Sequence, residues 1–346
     1  MEILREIKAG VLSPTCVAVG VFDGVHVGHQ AVLRQAVAGA REAGLVAAAL
    51  TFDPHPERVL RPRQAPLLLT TLPERAALIA ETGIEALVVA QFDRAFASLT
   101  AEEFAHCVLV EQLAARCVVA GDGFVFGRGA RGNAAILAEL GRKLGFEASA
   151  VKRVAVDDTE VSSTVVRQLI SSGNIERAAV LLGHYYTIRG SVTPGDRRGR
   201  ELGFPTANLC VSRDKLLPPH GVYAVWARIE GRAECERSGA SDSTSAPDGE
   251  LDPPRRIDDE RRPAIPAVAN VGVRPTFPAN RTRPSDPAAC VEAHVLEGEP
   301  GDLYDRTITL DLVTRLREER AFPDGQALQE QIRRDIAQAR RALSSA

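Results

Sequence analysis

A strand-to-helix turn near the amino terminus constrains this chain more than any other stretch. Residues 17–19, Val-Ala-Val, form a short apolar run, and 20–30 then read G-V-F-D-G-V-H-V-G-H-Q before a helical pattern that begins near Ala31. Gly20, Gly24 and Gly28 let the backbone turn sharply and approach a ligand closely. Phe22 and Asp23 fall inside the same turn. His26 and His29 stand three apart and share one face if a helix begins near His26. Imidazoles above a helix N-terminus suit an anionic phosphate, because unpaired N–H groups and the helix dipole both favour negative charge. The pattern points to nucleotidyl transfer built on a Gly-and-His turn with no P-loop lysine. The plainer alternative is a tight turn with two surface histidines.

A chain of 346 residues suffices for two domains, each with its own core. Strand patterns at 17–21, 45–52, 86–90 and 116–120 alternate with helical patterns at 30–43, 73–82, 101–112, 132–144 and 165–171. This alternation predicts an α/β doubly wound parallel sheet through residue 182, with ligands at the strands' carboxyl ends. From 183 the texture changes to short runs rich in Val, Ile and Tyr, at 185–192, 221–229, 267–271, 291–296 and 307–312. These predict a mainly antiparallel sheet or small barrel. Leu328, Ile332 and Ile336 mark an amphipathic C-terminal helix over 326–343. Residues 232–263 and 278–288 are polar and Pro-rich, and read as disordered insertions.

The formal charge of −3 gives no pull towards nucleic acid or an anionic membrane. Six cysteines without a C-x-x-C pair read as reduced thiols, and the expected location is cytoplasmic. No apolar run approaches the roughly 18 residues of a membrane span.

Three further segments carry chemistry. T-F-D-P-H-P at 51–56 ends a strand, and its two prolines hold Asp53 and His55 at a rim; a rigid turn with a capping Asp is the alternative. G-D-G-F-V-F-G at 121–127 follows another strand and contributes Asp122 and Phe124. V-S-S-T-V-V-R at 161–167 opens a helix, where Ser163 and Thr164 offer hydroxyl and backbone donors and Arg167 follows one turn inside. Helix capping alone also explains those hydroxyls.

These four motifs, in this order, resemble the bacterial bifunctional riboflavin kinase/FAD synthetases. The likeness continues through G-S-V-T-P-G-D-R-R-G-R-E-L-G-F-P-T-A-N at 190–208, then P-P-H-G-V-Y-A-V, A-N-V-G-V-R-P-T-F and V-E-A-H-V. It covers the whole chain apart from the two insertions. The resemblance implies an α/β doubly wound nucleotidyltransferase domain followed by a riboflavin kinase β-barrel. It implies ATP-dependent phosphorylation of riboflavin to FMN, then adenylylation of FMN to FAD with release of pyrophosphate. ATP is then co-substrate, and FMN and FAD are substrate and product, with no redox role.

In the second half, Gly190, Gly195, Gly199 and Gly203 read as a flexible loop whose amides wrap phosphates. Pro205 positions Thr206 and Asn208 on one side of an extended segment, as hard oxygen ligands for Mg²⁺ on ATP; alone, P-T-A-N is merely a turn. The resemblance assigns Glu292 as general base for the ribityl hydroxyl. His294, two residues on, faces the same way in a strand and reads as supporting it. Arg274, in N-V-G-V-R-P-T-F, either helps order the site or is structural at its strand-to-turn position. The chain departs from the family pattern at Gly123, where Asp or Asn usually precedes the first Phe, and at Arg75 and Asp305. The first departure motivates an alternative, a riboflavin kinase with a weak or silent adenylyltransferase domain. A flavin carrier without turnover is a third reading, opposed by the presence of Glu292, Thr206 and Asn208.

Overall fold

The computed structural model describes residues 1–5, 12–194, 203–232, 264–273, 289–297 and 302–345. Gly195, Gly199, Arg274 and nearly all of both expected insertions lie outside the described residues. The described chain divides into two compact units, one through Val165 and one from Val166. Helix α8 (Ile175–Leu182) packs on two strands of the second unit, Tyr186–Thr193 and Arg306–Glu318.

The first unit is a six-stranded sheet of β1 (Glu2–Leu4), β2 (Thr15–Val19), β3 (Val46–Asp53), β4 (Ala86–Gln91), β5 (Ala115–Gly121) and β6 (Glu147–Val151), in the order β1-β4-β3-β2-β5-β6. All its pairs are parallel. Strands buried on both faces read as near-continuous apolar runs, and β3, V-A-A-A-L-T-F-D, is such a run. Val17, Val19, Leu50 and Phe52 face one core, and Cys16, Ala18, Ala47 and Ala49 face the other. Helix α1 (Val27–Ala43) covers the second core with Leu33, Ala36 and Ala40, joined by α3 (Leu72–Ala80), so the sheet is doubly wound. Fully burying Leu33 alone is worth on the order of 2 kcal/mol. The other face is covered by α6 (Ala134–Leu144) and by a π-helix, Phe104–Gln112, that continues the short α5 (Ala101–Glu103). The sequence predicts one α-helix over 101–112. Strands β1 and β6 and the hairpin β7 (Ala155–Val156) to β8 (Thr159–Glu160) are additional to the predicted elements.

The second unit is a closed antiparallel barrel of β9 (Tyr186–Thr193), β10 (Ala207–Val211), β11 (Gly221–Arg232), β12 (Ile265–Val273), β13 (Ala289–Val295) and β14 (Arg306–Glu318). Strand β9 bonds to both β10 and β14, which leaves no sheet edge. Ile188, Leu209, Tyr223, Val225, Ala269 and Leu310 are among its buried residues. A terminal helix, Gly325–Ser344, lies outside on β11, β12 and β14, with Ala339 and Leu343 packed on Ala224, Trp226 and Val313. Arg317 holds it by a bidentate contact to the buried carboxylate of Asp335, at 2.8–3.0 Å.

Candidate active sites

In the first unit the motif segments follow β2, β3 and β5, three adjacent strands. The chain runs outward from β2 in opposite directions to β3 and β5, a topological switch point where a crevice opens at the carboxyl ends.

The turn after β2 passes through left-handed backbone at Phe22 (φ 53°), Gly24 (φ 86°) and Val25 (φ 40°). Such conformations cost of order 1–3 kcal/mol each in non-glycine residues and persist only where their surroundings hold them. Here the holding group is Asp23. Its carboxylate is buried and accepts from the Leu69 amide (3.1 Å), the Thr70 amide (2.9 Å) and the Thr70 hydroxyl (3.2 Å). The Gly24 amide donates to Thr70 Oγ1 at 2.9 Å, closing the loop of bonds.

His26 is the N-cap of α1, and its Nδ1 accepts the amide of His29 at 3.3 Å. With Nδ1 accepting, a neutral His26 ring carries its proton on Nε2. The two imidazoles stack with centroids 3.6 Å apart and planes 17° from parallel. The ring of Phe22 meets His29 edge-on at 5.5 Å. A Cβ at Gly28 would come within 3.2 Å of the His26 ring, and one at Gly20 within 2.9 Å of the Phe22 ring, so both glycines make room for aromatic groups.

The neighbouring segments are tied to this turn. Thr51 donates its hydroxyl to the Val21 carbonyl at 2.9 Å. Arg75 is fully buried and donates to Thr51 Oγ1 and the Phe52 carbonyl (3.3 Å each) and to the Thr70 carbonyl (3.4 Å). Burial lowers the proton affinity of its guanidinium, against the pull of Asp23, Asp53 and Glu74. Asp53 ends β3 before a cis bond to Pro54, and the cap of α2 (Pro56–Leu60) is His55, whose Nδ1 accepts the Glu57 amide at 3.2 Å. Ser163 donates to the Asp23 carbonyl at 2.9 Å, and Ser162 accepts the Val165 amide at 3.3 Å, opening α7 (Ser163–Ser172). Thr164 is exposed in the first turn of α7, and Arg167 follows it one turn on.

After β5, the Asp122 carboxylate lies 3.5 Å from Arg153 Nε, and a Cβ at Gly123 would stand 3.1 Å from the same guanidinium. The Phe124 ring stacks on Phe126 at 5.6 Å, and Phe126 leads into the core through Phe104.

In the second unit, Glu292 on β13 lies directly opposite Asn208 on β10 and Asn270 on β12, and Asn208 lies opposite Thr193 on β9. Directly paired residues project from the same face of a sheet. The neighbours of Glu292 in β13, Val291 and Ala293, are buried, so the polar row belongs to the outer face. Thr206 is exposed just before β10, on the same alternation as Asn208. His294 Nδ1 lies 2.8 Å from the Pro205 carbonyl, and the Phe204 ring meets the imidazole edge-on at 5.7 Å. These contacts dock the P-T-A-N segment on β13. Gly203 sits in the same approach with φ 83°.

Two expected ligand groups are placed otherwise. Asp23 spends its carboxylate on the 69–70 amides and fastens the turn. Gly190 lies inside β9 rather than in a loop, and a Cβ there would meet the Cys210 carbonyl oxygen at 2.7 Å, so its smallness serves the approach of β9 to β10. Sequence reasoning missed Thr70, the structural role of Arg75, and Asn270. The T-L-P-E capping box at 71–74 and the lone polar residue in A-V-A-N-V-G-V were the available signals.

Comparison with known proteins gives matches over both units. A family model described as FAD synthetase matches residues 9–165, and one described as riboflavin kinase matches residues 182–343. Curated proteins named bifunctional riboflavin kinase/FMN adenylyltransferase are similar over nearly full length. That of Escherichia coli is 34% identical over 343 residues, 98% of this chain and 97% of that protein. That of Bacillus subtilis is 33% identical over 330 residues, 95% and 92% of the two chains. A crystal structure described as a macrolide-efflux protein from Streptococcus pneumoniae superposes with a TM-score of 0.76 at 28% identity, covering 98% of this chain and 99% of that one. Among the described residues, no helix is long and apolar enough to cross a membrane.

Proposed function

The chain belongs to the family of bifunctional riboflavin kinase/FMN adenylyltransferases, and from that premise we propose which of its groups carry each transfer. The enzyme phosphorylates riboflavin with ATP to FMN, and adenylylates FMN with a second ATP to FAD. We assign adenylylation to residues 1–182 and phosphorylation to 183–346.

In adenylylation, a phosphate oxygen of FMN attacks the α-phosphorus of ATP in line and pyrophosphate departs. His26 and His29 donate hydrogen bonds to the phosphate oxygens as charge shifts between them, and Arg167 adds a fixed positive charge. The observation that carries this reading is the stacked pair itself, seated on a helix N-terminus. His26 Nδ1 is occupied by the cap, which reserves Nε2 for donation. Gly20, Gly24, Gly28, Phe22 and Asp23 shape the turn. Asp53, His55, Asp122, Phe124, Ser163 and Thr164 line the binding edge.

In phosphorylation, Glu292 accepts the proton of the ribityl hydroxyl as that oxygen attacks the γ-phosphorus of ATP. Thr206 and Asn208 fit Mg²⁺, since a hydroxyl and an amide oxygen are hard donors and stand on one side of the chain, Asn208 opposite Glu292. When bound, the ion neutralises charge on the ATP phosphates. Gly203, Pro205 and His294 hold this segment in place.

One assay tests the assignment: full-length protein with riboflavin, ATP and Mg²⁺, with FMN and FAD resolved by chromatography. FAD should be lost and FMN retained in His29→Ala, while Glu292→Gln should stop FMN formation yet still convert supplied FMN. Loss of FMN together with FAD in His29→Ala, or failure of Glu292→Gln to convert supplied FMN to FAD, would overturn the two-site division.

A further inference from the structure

The π-helix brings together three side chains that neither transfer uses. Among the described residues, His106, Cys107 and Glu111 are the group whose ligand atoms all lie within 4.8 Å of one another. His106 Nδ1 stands 3.5 Å from Glu111 Oε1, and both side chains are about half exposed, at 53% each. Burial raises the Cys107 thiol above its ordinary range, and Glu111 adds to this by charge and a hydrogen bond.

The backbone explains the juxtaposition. In a π-helix the hydrogen bonds run i→i+5, as from the Leu113 amide to the Val108 carbonyl at 3.1 Å. Residue 111 therefore rises between 106, five before it, and 107, four before it. In an α-helix, 111 would stand above 107 and turn away from 106. The wider winding is what makes a two-residue contact a three-residue cluster. Phe104, Ala105, Val108 and Leu109 are buried on the inner side of the same segment, which fixes the cluster on the outer side. Short π-helical turns are rare and frequently mark functional positions.

We propose that His106, Cys107 and Glu111 form a binding site for a borderline-soft divalent cation of the Zn²⁺ class. Imidazole, thiolate and carboxylate are the donors such an ion takes, and a thiolate selects it over the Mg²⁺ that accompanies ATP. Tetrahedral bonds of about 2.0–2.3 Å put donors about 3.5 Å apart, so small rotations of these side chains close the site. On binding, the Cys107 thiol gives its proton to solvent and ligates as thiolate, and water completes the fourth position. The site stands before β5 on the helix that leads into its amino end, whereas the adenylylation motifs follow the carboxyl ends of the strands.

The test uses the full-length protein, first stripped by a chelator. Zn²⁺ is titrated in competition with a chromophoric chelator, and Co²⁺ is added separately to read thiolate-to-cobalt absorption in the near ultraviolet. The parent should bind one Zn²⁺ and develop that absorption. Cys107→Ser should abolish the absorption, and Glu111→Gln and His106→Ala should each weaken Zn²⁺ at least tenfold. His106 and Glu111 are exposed, and Cys107 is partly buried but replaced by the near-isosteric serine, so the metal-free variants should melt with the parent. Absence of thiolate absorption in the parent, or Zn²⁺ affinity equal across parent and variants, overturns the proposal.

Discussion

The imidazoles of His26 and His29 lie in stacked contact, 3.6 Å between centroids, with the first ring capping the amide of the second. The relationship makes their roles unequal. His29→Ala removes a donor and leaves the cap, so FAD formation should fall by about 10²–10³ in kcat. His26→Ala should lose as much and also cost about 1 kcal/mol of stability through the lost cap. Steady-state kinetics and urea unfolding of both variants separate these effects.

Glu292 stands in the polar row with Asn208 and Asn270. Glu292→Gln keeps the shape and removes the basicity, so riboflavin phosphorylation should fall by about 10²–10⁴. Adenylylation of supplied FMN should stay within about twofold of the parent.

Asp23 accepts two amides and a hydroxyl while buried. Asp23→Asn turns part of that acceptor into a donor facing N–H groups, and should cost about 2 kcal/mol. Urea unfolding followed by circular dichroism should show it, while the fluorescence transition of Trp226, the chain's only tryptophan and a barrel residue, stays where it was.

Asp335 poses the converse case. Removing it in Asp335→Ala strands the Arg317 guanidinium against the terminal helix, and about 3 kcal/mol should be lost. Trp226 packs under that helix, so its fluorescence midpoint in urea should now move. An unmoved midpoint would remove the ion pair from the forces holding the helix.

Tyr223 gives the barrel an alkaline limit. Burial pushes its hydroxyl up to about 12, against the opposing influence of Arg315. An unfolded tyrosine titrates near 10, so its stabilising contribution is complete below about pH 10. Between about 10 and 12 the unfolded chain releases a proton the folded barrel keeps, and stability falls by at most about 1.4 kcal/mol per pH unit. Tyr223→Phe should flatten that fall in Trp226-monitored unfolding; an identical slope in both proteins would exclude the residue.

The legible parts of this molecule are those where local chemistry and local geometry coincide. The turn at 20–30 is readable because Gly and His at fixed spacing serve both the bend and the anion, and β3 because six consecutive residues buried on two faces leave an almost unbroken apolar run. Strand β6, E-A-S-A-V, lies at a sheet edge with half-buried positions and carries little apolar signal. Strand β10 was hidden because P-T-A-N reads as a turn until β13 pairs with it. The role of Asp23 depends on Thr70, 47 residues away, and no periodicity reports a polar contact of that range. The π-helix does not announce itself in sequence, because F-A-H-C-V-L-V-E-Q fits either winding.

Closure of the barrel also sets an order in time. The sheet of the first unit is complete once β6 has emerged, at Val151, whereas β9 waits for β14 to close the ring, more than a hundred residues later. A growing chain can therefore finish its adenylylating half while the ribosome is still making the strands of the other. During that interval the edge of β9 that β14 will cover stays open to any neighbouring chain. The vulnerable moment in making this enzyme falls between synthesis of its ninth strand and its last.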